Sequence, residues 1–396
     1  MIFQSLAPQF NFGKALRHLF SKGKSEDSQN LKDYLLKKYQ GLNVELYGKG
    51  RTALSEAVRV ASSGEGRILI SGLTCSSVEQ AVVAAGCRPI FVDINYKDIQ
   101  FSKKSLTKAF EDYSDIKAII VQNTLGVPAD INLIKQIART HNIVIIEDLA
   151  HSIGSKYLDG SEMGTVGDIV MFSFGRDKAI DVTNGGAVIL RKEFGHRLRK
   201  PQREPGSKSQ TRDHIYPLFA NIARFLYPIG LGRFVIAWFY KSGWAVKSAD
   251  GNIDIEIAMS NWQAKKALEE FKNLSQTIKH RQEITKKIYE EIELAPVENA
   301  TYEEASIIRV PFMVENRYEV LQELKSAGIF LEDVWYDSPV SPRRYLKDSS
   351  FVRSEAPNAI KISNEIINIP TYSNISSRDI ETIALIVNRT AKDAKR

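Results

Sequence analysis

Three side chains with different chemistries follow two apolar runs in the middle of the chain. The first run ends at the carboxylates Glu147 and Asp148, and the second ends at Ser173, five residues before Lys178. Short runs rich in β-branched residues, bounded by glycine and polar residues, are typical of buried strands. Because ligands bind outside the carboxyl ends of the strands in an open parallel sheet, we expect an acid, a hydroxyl and an amine to meet at one edge of one sheet.

These three groups are the ones that pyridoxal 5'-phosphate (PLP) requires. An amine such as that of Lys178 attaches the cofactor, and a carboxylate such as that of Asp148 keeps the ring nitrogen protonated. Hydroxyl and backbone N–H groups, such as those of Ser173, hold the phosphate. Each residue alone has an ordinary interpretation, since a loop lysine is usually solvated and an acid that ends a strand often caps a helix. The combination predicts a PLP site with Lys178 and Asp148 as its catalytic residues.

The motifs around these residues resemble those of the DegT/DnrJ/EryC1/StrS family. They read EDLAHSIG (147–154), GDIVMFSFGRDK (167–178) and NGG (184–186). The resemblance is close over residues 45–192 and looser over 255–390. It implies a PLP-dependent sugar aminotransferase of fold type I. This fold is α/β, with a mostly parallel sheet flanked by helices and a smaller C-terminal α+β domain. The resemblance also implies a homodimer whose two subunits share each active site.

The resemblance also implies which residues hold the cofactor. Gly50, Arg51 and Thr52 open a predicted helix, and helix N-termini favour anions, so these residues match the family's phosphate turn. Cys75 stands where many members have an aromatic residue that stacks on the ring, although a free cysteine is as commonly a small core residue. Ala150 would contact the opposite face of the ring.

Two further residues have open interpretations. Asn123 either approaches the edge of the cofactor, as the resemblance implies, or caps an ordinary turn. His151 either lies near the phenolic oxygen of the ring or caps the turn that follows it.

Strand and helix signals alternate along the chain, which indicates a mostly parallel sheet covered on both faces. The patterns predict strands at 68–70, 89–92 and 118–121, helices at 76–85, 102–112 and 130–141, and a long amphipathic helix from 255 onward. We divide the chain into an N-terminal basic arm and helix (1–44), a large PLP-binding α/β domain (45–192), a basic aromatic insertion (193–254) and a C-terminal helix with a small α+β domain (255–396).

The composition is that of an ordinary soluble globular protein. Of its 396 residues 43% are hydrophobic and 26% are charged, and only Cys75 and Cys87 are cysteines. So few cysteines argue against a disulfide framework and a cysteine-rich zinc site, and they suit the cytoplasm. The N-terminal residues do not have the pattern of a signal peptide, because Lys14, Arg17 and Lys22 interrupt the apolar residues.

The net charge of +7 is concentrated in one segment. Residues 191–249 contain twelve Lys and Arg but three Asp and Glu, and 214–249 contain no acid at all. A charge confined to one segment does not support nucleic-acid binding by the protein as a whole. Aromatic residues fill the same segment, so 214–247 either contacts the inner face of a membrane peripherally or packs on a dimer partner or over the active site.

The predicted reaction is a transamination in which Lys178 moves the proton. By family analogy the amino donor is glutamate and the acceptor is the keto sugar of a nucleotide-sugar used in polysaccharide or glycan biosynthesis. One alternative is a PLP-dependent dehydratase of the same family, but such relatives commonly replace the lysine by histidine. The other is a membrane-associated, non-catalytic relative.

Overall fold

A central sheet organises the larger domain. This computed structural model describes residues 1–331 and 335–394. In these residues the strands are β1 (Ile2–Phe3), β2 (Asn43–Tyr47), β3 (Arg67–Ser71), β4 (Thr74–Cys75), β5 (Arg88–Val92), β6 (Ile116–Val121), β7 (Val144–Asp148), β8 (Ile169–Ser173), β9 (Gly186–Leu190), β10 (Arg309–Met313), β11 (Ile329–Phe330), β12 (Val340–Ser341) and β13 (Ile366–Pro370). The sheet has the order β2-β9-β8-β7-β6-β3-β5. Strands β8, β7, β6, β3 and β5 run parallel, while β9 runs antiparallel to both neighbours. The predicted α/β fold with a mostly parallel sheet is confirmed.

Helices cover this sheet on both faces, which is why its strands are almost wholly apolar. In the described residues they are α1 (Phe12–Leu19), α2 (Ser25–Tyr39), α3 (Gly50–Ser62), α4 (Ser76–Ala84), α5 (Lys103–Asp112), α6 (Ile131–His141), α7 (Ser207–Leu226), α8 (Leu231–Lys241), α9 (Asn261–Lys272), α10 (Leu274–Glu291), α11 (Arg317–Ser326), α12 (Pro357–Glu365) and α13 (Ser377–Thr390). Helices α4, α5 and α6 agree with the prediction to within one residue. The side chains of Ser102 and Asp130 cap α5 and α6, which fixes where these helices begin.

The prediction of one long helix from residue 255 is wrong in two respects. The helix begins at Asn261, because Ser260 and Gln263 form a capping box that ends the preceding extended segment. The helical conformation is then interrupted at Asn273, which ends α9 and precedes α10. The apolar spacing continues across this break, so the pattern alone reads as one helix.

The first 44 residues do not form a separate unit. Strand β1 pairs in parallel with β11 of the C-terminal domain, where Gln4 Nε2 also donates to Asn368 Oδ1 over 2.7 Å. Helix α1 packs on α7, and α2 packs on α9 and β2. The C-terminal domain itself consists of the antiparallel pair β10-β13 and helices α10 to α13 around a second apolar core.

The insertion predicted at 193–254 contains helices α7 and α8, which pack with α1 into a small helical unit. The rings of Phe219 and Phe239 stack at its centre, 3.4 Å between centroids. Asn184 Nδ2 donates to both carboxylate oxygens of Asp213, at 2.9 and 3.0 Å, and so fastens α7 to the large domain. Among the described residues, no helix is both long enough and apolar enough to cross a membrane.

The two adjacent carboxylates at the end of β7 have different surroundings, because successive side chains on a strand point to opposite faces. The Glu147 carboxylate is buried and accepts hydrogen bonds from Tyr157 Oη at 2.8 Å and from the backbone N–H groups of Gly164, Val166 and Gly167. These bonds hold the segment between β7 and β8. Glu147 therefore fixes the spacing of the two strands that carry Asp148 and Ser173.

We expect Glu147→Ala to lower the free energy of unfolding by at least about 3 kcal/mol, since each buried donor left without an acceptor costs roughly 1–3 kcal/mol. Chemical denaturation measures this change. Glu162→Ala is the control, because Glu162 forms a partly exposed ion pair with Lys38 that is worth less than about 1 kcal/mol. Equal effects of the two substitutions would contradict the assignment.

Candidate active site

Asp148 and Lys178 meet at the carboxyl edge of the sheet. Asp148 ends β7 and Lys178 lies on the loop after β8, and these strands are parallel neighbours. Asp148 is 3% exposed and Lys178 is half-buried. Each charge influences the ionisation of the other, so the structure brings together two groups that lie thirty residues apart in the sequence.

Burial dominates the ionisation of both groups. Burial raises the pKa of Asp148 to about 6, although the N–H of Ala150, which donates to Asp148 Oδ1 over 2.9 Å, and the ammonium of Lys178 both lower it. Burial also lowers the pKa of Lys178, and the nearby guanidinium of Arg309 acts in the same direction. A carboxyl that resists ionisation and an amine that releases its proton readily are suited to hold and move protons.

The start of α3 lies against the end of β8. A Cβ atom on Gly50 would stand 2.5 Å from Ser173 Oγ, so only glycine allows the helix to approach the hydroxyl this closely. Lys49 caps the helix without a side-chain hydrogen bond, and Thr52 is buried in the first turn. Backbone N–H groups at a helix N-terminus beside a hydroxyl form a suitable cradle for a phosphate.

The side chain of Arg51 forms its hydrogen bonds away from the start of α3. Its Nη1 donates to Gln80 Oε1 over 2.9 Å and to the carbonyl of Ala249 over 3.0 Å, and also to the carbonyl of Gly251. The guanidinium therefore joins α3 to the end of the insertion. This arrangement leaves the backbone N–H of Arg51, rather than its side chain, for a phosphate.

Asn123 and His151 both hold turns. Asn123 Oδ1 accepts the N–H of Ala129 over 3.0 Å, and its Nδ2 donates to Tyr157 Oη over 3.3 Å. His151 Nδ1 accepts the N–H of Leu125 over 3.1 Å. The bond of Asn123 lies within the segment between β6 and α6, whereas His151 binds the turn at 124–126 and not the turn that follows it.

Cys75 and Ala150 lie close to the same edge. Cys75 is half-buried at the start of α4, and its strand β4 pairs with β12 of the C-terminal domain. Cys75 is one of the groups that influence the pKa of Lys178, which places the thiol near the amine. Ala150 lies in the turn after β7, where its N–H binds Asp148.

Two residues of the C-terminal domain complete the site, and sequence reasoning did not identify them. The indole of Trp335 stacks on His151 with 5.0 Å between ring centroids and 13° between planes. Lys178 Nζ lies 4.5 Å from the indole centroid, and Arg309 Cζ lies 3.8 Å from it. Arg309 is the single charged residue in the apolar run 307–313, and that signal could have found it. Trp335 carried no comparable signal, and residues 332–334 before it lie outside the described part of the chain.

The residues present fit PLP on two structural grounds. The start of α3 beside Ser173 suits a phosphate, and a buried carboxyl and an amine lie together at the same edge. In the described residues, no cluster of His, Cys, Asp and Glu could hold a metal ion.

Comparison with known proteins agrees with this geometry. Residues 46–388 match the model of the DegT/DnrJ/EryC1/StrS aminotransferase family. An uncharacterized protein of Methanocaldococcus jannaschii is 24% identical over 82% of this chain and 80% of its own length. GDP-perosamine synthase of Escherichia coli O157:H7 is 34% identical, but over only 35% of this chain and 38% of its own length.

Solved structures show the same fold. A DegT/DnrJ/EryC1/StrS aminotransferase from Brucella abortus superposes with a TM-score of 0.68 over 96% of this chain and 93% of its own, at 19% identity. The Helicobacter pylori aminotransferase PseC, which is involved in the biosynthesis of pseudoaminic acid, gives a TM-score of 0.69 over 98% of both chains at 16% identity. From the family match over most of its length, this chain belongs to the DegT/DnrJ/EryC1/StrS aminotransferase family, and it is a PLP-dependent transaminase of fold type I.

Proposed function

We propose that this transaminase transfers an amino group from glutamate to the keto sugar of a nucleotide-sugar, for polysaccharide or glycan biosynthesis. The observation that carries the proposal is the coupled pair of Lys178 and Asp148 beside the phosphate cradle of α3. The relatives named GDP-perosamine synthase and UDP-4-amino-4,6-dideoxy-N-acetyl-β-L-altrosamine transaminase support a nucleotide-sugar acceptor.

In this proposal the large domain holds the cofactor. The first-turn N–H groups of Gly50, Arg51 and Thr52, together with the Ser173 hydroxyl, bind its phosphate. Asp148 binds the protonated ring nitrogen through a charge-assisted hydrogen bond, which supplies the counter-charge that this buried carboxyl otherwise lacks. When bound, PLP supplies an electron sink for the carbon next to the reacting amine.

Other residues border the ring in the same proposal. Cys75 lies on one face and Ala150 on the other, while Asn123 and His151 act mainly by holding the turns that frame the site. A small thiol in place of an aromatic residue gives less stacking area. Cofactor retention in this chain thus depends more on the phosphate cradle and on Asp148.

Lys178 carries the proton. Its lowered pKa increases the fraction of neutral amine near physiological pH, so Nζ can accept a proton from the substrate carbon and return it. The half-buried position of Lys178 at the sheet edge limits the access of water to this transfer. Lys178 also argues against the dehydratase alternative, since those relatives commonly replace it.

Two measurements on the wild-type protein test the proposal. Purified protein titrated with PLP should turn yellow with one cofactor per chain, and addition of L-glutamate should discharge the colour. Subsequent addition of a nucleotide-linked keto sugar should restore it and release an aminated sugar. Protein that cannot bind PLP would end the proposal, whereas bound PLP with no response to keto sugars would end the substrate assignment alone.

We also propose that the enzyme is a cytoplasmic homodimer. Fold-type I sites are shared between subunits, and the two free cysteines suit a reducing compartment. Light scattering coupled to size-exclusion chromatography should give twice the chain mass, and a strictly monomeric active enzyme would contradict this.

We further propose that the helical unit of α1, α7 and α8 contacts an anionic membrane peripherally. Large apolar side chains on this unit are exposed, including Phe225 at 83%, and the others are Phe12, Leu16, Phe20, Ile222, Ile229, Leu231, Phe234 and Trp238. The exposed cations Arg17, Arg233 and Lys241 lie among them, and residues 214–249 carry no acid. Apolar rings flanked by cations suit the interface of a membrane with anionic lipid.

The double variant Phe234→Ser/Trp238→Ser should lose vesicle binding. Flotation with vesicles that contain phosphatidylserine should recover the wild type at low salt and much less of the variant, because both apolar area and ring anchoring are removed. Val83→Ser is the control, since Val83 is an exposed apolar residue on α4, outside the helical unit. Loss of dimerisation rather than of flotation in the double variant would show that the surface binds a second subunit instead.

A further inference from the structure

Asp177, which precedes Lys178, has a backbone conformation that L-amino acids rarely adopt. Its φ is 63°, in the left-handed region where a non-glycine residue is strained. Such strain persists only where surrounding contacts hold the backbone in place. Because Asp177 sets the direction in which the chain enters Lys178, the contacts that hold it also decide where the reacting amine lies.

One set of these contacts comes from a buried carboxylate on the same loop. Asp181 is 4% exposed, and its Oδ2 accepts the backbone N–H of Asp177 over 2.9 Å. Its Oδ1 accepts the N–H of Thr183 over 2.8 Å, and Gln9 Nε2 from the N-terminal segment donates to Oδ2 over 2.7 Å. These bonds hold the amide of Asp177 from the C-terminal side of the loop.

The other set of contacts comes from the insertion, and it acts on the side chain of Arg176. Its Nη1 donates to the carbonyl of Val246 over 3.0 Å, and its Cζ lies 3.6 Å from the centroid of the Tyr216 ring. Val246 follows α8, and Tyr216 lies on α7 with 4% of its surface exposed. A guanidinium this close to an aromatic face packs on the ring and is attracted to its electrons. The loop that carries Lys178 is thus fastened to the helical unit.

The two sets of contacts together hold the left-handed backbone of Asp177. The insertion fixes the side chain of Arg176, and Asp181 fixes the N–H of Asp177. Loss of either anchor would allow Asp177 to relax toward an ordinary negative φ. A rotation at Asp177 moves Lys178, and a displacement of reacting atoms by about 1 Å can lower a rate on the order of 100-fold.

We propose that Arg176 is a positioning residue for Lys178, held by Tyr216 and the carbonyl of Val246 so that the amine meets the reacting carbon. The inference rests on the proton transfer proposed for Lys178. It goes beyond the proposed function because it makes the helical unit a part of the catalytic geometry. The guanidinium of Arg176 acts through the backbone of the loop and takes no part in the proton transfer itself.

The first comparison removes the guanidinium. Arg176→Gln is compared with Arg203→Gln, since Arg203 also belongs to the insertion but forms an exposed ion pair with Asp254. Hydrogen exchange of the cofactor-free protein measures how well the loop is held. The amides of Asp177 and Thr183 should exchange about 10-fold faster in Arg176→Gln than in the wild type, because the loop opens more often. Arg203→Gln should exchange like the wild type.

A rate constant separates misplacement of the amine from a general loss of structure. Rapid mixing of PLP-loaded protein with L-glutamate follows the fading of the yellow colour. Its first-order rate constant at saturation does not depend on how much of the protein is folded. This constant should fall by about 10- to 100-fold in Arg176→Gln, while the glutamate concentration that gives half the maximal rate stays close to wild type.

The second comparison removes the aromatic face. Tyr216→Leu should reproduce both effects of Arg176→Gln, and Tyr216→Phe, which keeps the ring, should recover most of the lost rate. Phe219→Leu is the control, because Phe219 lies on the same helix and its ring stacks on Phe239. This control removes a ring from the same core, so its melting temperature should fall while its rate constant and the exchange at Asp177 stay close to wild type.

Unchanged exchange at Asp177 or an unchanged rate constant in Arg176→Gln would overturn the inference. If Arg176→Gln does not fold, equal rate constants in Tyr216→Leu and Phe219→Leu would overturn it. The exchange measurement needs neither cofactor nor donor. A wild type that does not react with L-glutamate would therefore refute the proposed donor, and the role of Arg176 would still be judged from the exchange.

Discussion

Lys178→Ala is expected to lower turnover by more than about 10³-fold, because it removes both the attachment point of PLP and the group that moves the proton. The variant should bind PLP without forming the yellow lysine-bound species, so an absorbance titration separates the two losses. Burial lowers the pKa of Lys178 in the wild type, so more of its amine is neutral and nucleophilic than in a fully exposed lysine.

Two control variants show whether the loss in Lys178→Ala is specific to the amine of Lys178. Lys192→Ala removes a half-exposed lysine that pairs with Asp168 and should leave both colour and turnover unchanged. Lys178→Arg keeps a positive charge near Asp148 but provides no nucleophilic amine, so it should be as inactive as Lys178→Ala. Appreciable turnover in Lys178→Arg would mean that another amine does the chemistry.

Asp148→Asn is expected to have opposite effects on activity and on stability. Turnover of the PLP-loaded enzyme should fall by about 10²-fold or more, because the amide cannot provide the negative charge that keeps the ring nitrogen protonated. The cofactor-free protein should become more stable near neutral pH, because the amide avoids the cost of a buried charge. The amide oxygen can still accept the N–H of Ala150.

The pH dependence of unfolding gives the sign of the effect of Asp148→Asn on stability. The folded pKa of Asp148, about 6, lies above the ordinary value of 3.8, so folding favours the protonated carboxyl. The free energy of unfolding of the cofactor-free wild type should therefore fall as pH rises through this interval, by on the order of 3 kcal/mol. Asp148→Asn should lack this fall, and the difference between the proteins should stay constant above about pH 6.

Denaturant titrations of both cofactor-free proteins below pH 4 and at pH 7 measure this difference. Adding PLP should restore much of the wild-type stability at pH 7, because the bound ring nitrogen supplies the missing positive partner. It should do less for Asp148→Asn. Parallel stability curves for the two proteins across the whole pH range would show that Asp148 is not held in the environment described above.

The mostly parallel sheet and the edge at which the reacting groups lie follow from local sequence. The apolar runs that end at Asp148 and Ser173 require burial on both faces, and parallel strands with helical crossovers satisfy this. Their carboxyl ends then share one edge of the sheet. Helix boundaries were predicted well where a polar cap such as Ser102 or Asp130 stands at the start, because a cap satisfies the first N–H groups locally.

Other features depend on contacts between distant parts of the chain. The local sequence does not distinguish the structural role of Glu147 from the catalytic role proposed for Asp148. The two carboxylates are adjacent in the sequence, but their side chains point to opposite faces of β7. The sequence does not show that the guanidinium of Arg51 is bound by the carbonyl of Ala249 at the end of the insertion. The break at Asn273 leaves the apolar spacing intact, so no pattern of residues reveals it.

By itself, the sequence determined the α/β fold, the family and the edge at which an acid, a hydroxyl and an amine would gather, because each follows from short-range periodicity and recurring motifs. Only the tertiary structure decided that Trp335 and Arg309 close the site. These residues come from a second domain more than a hundred positions away from Lys178. Their positions depend on how two separately formed cores pack, and side-chain periodicity within one element contains no information about that packing.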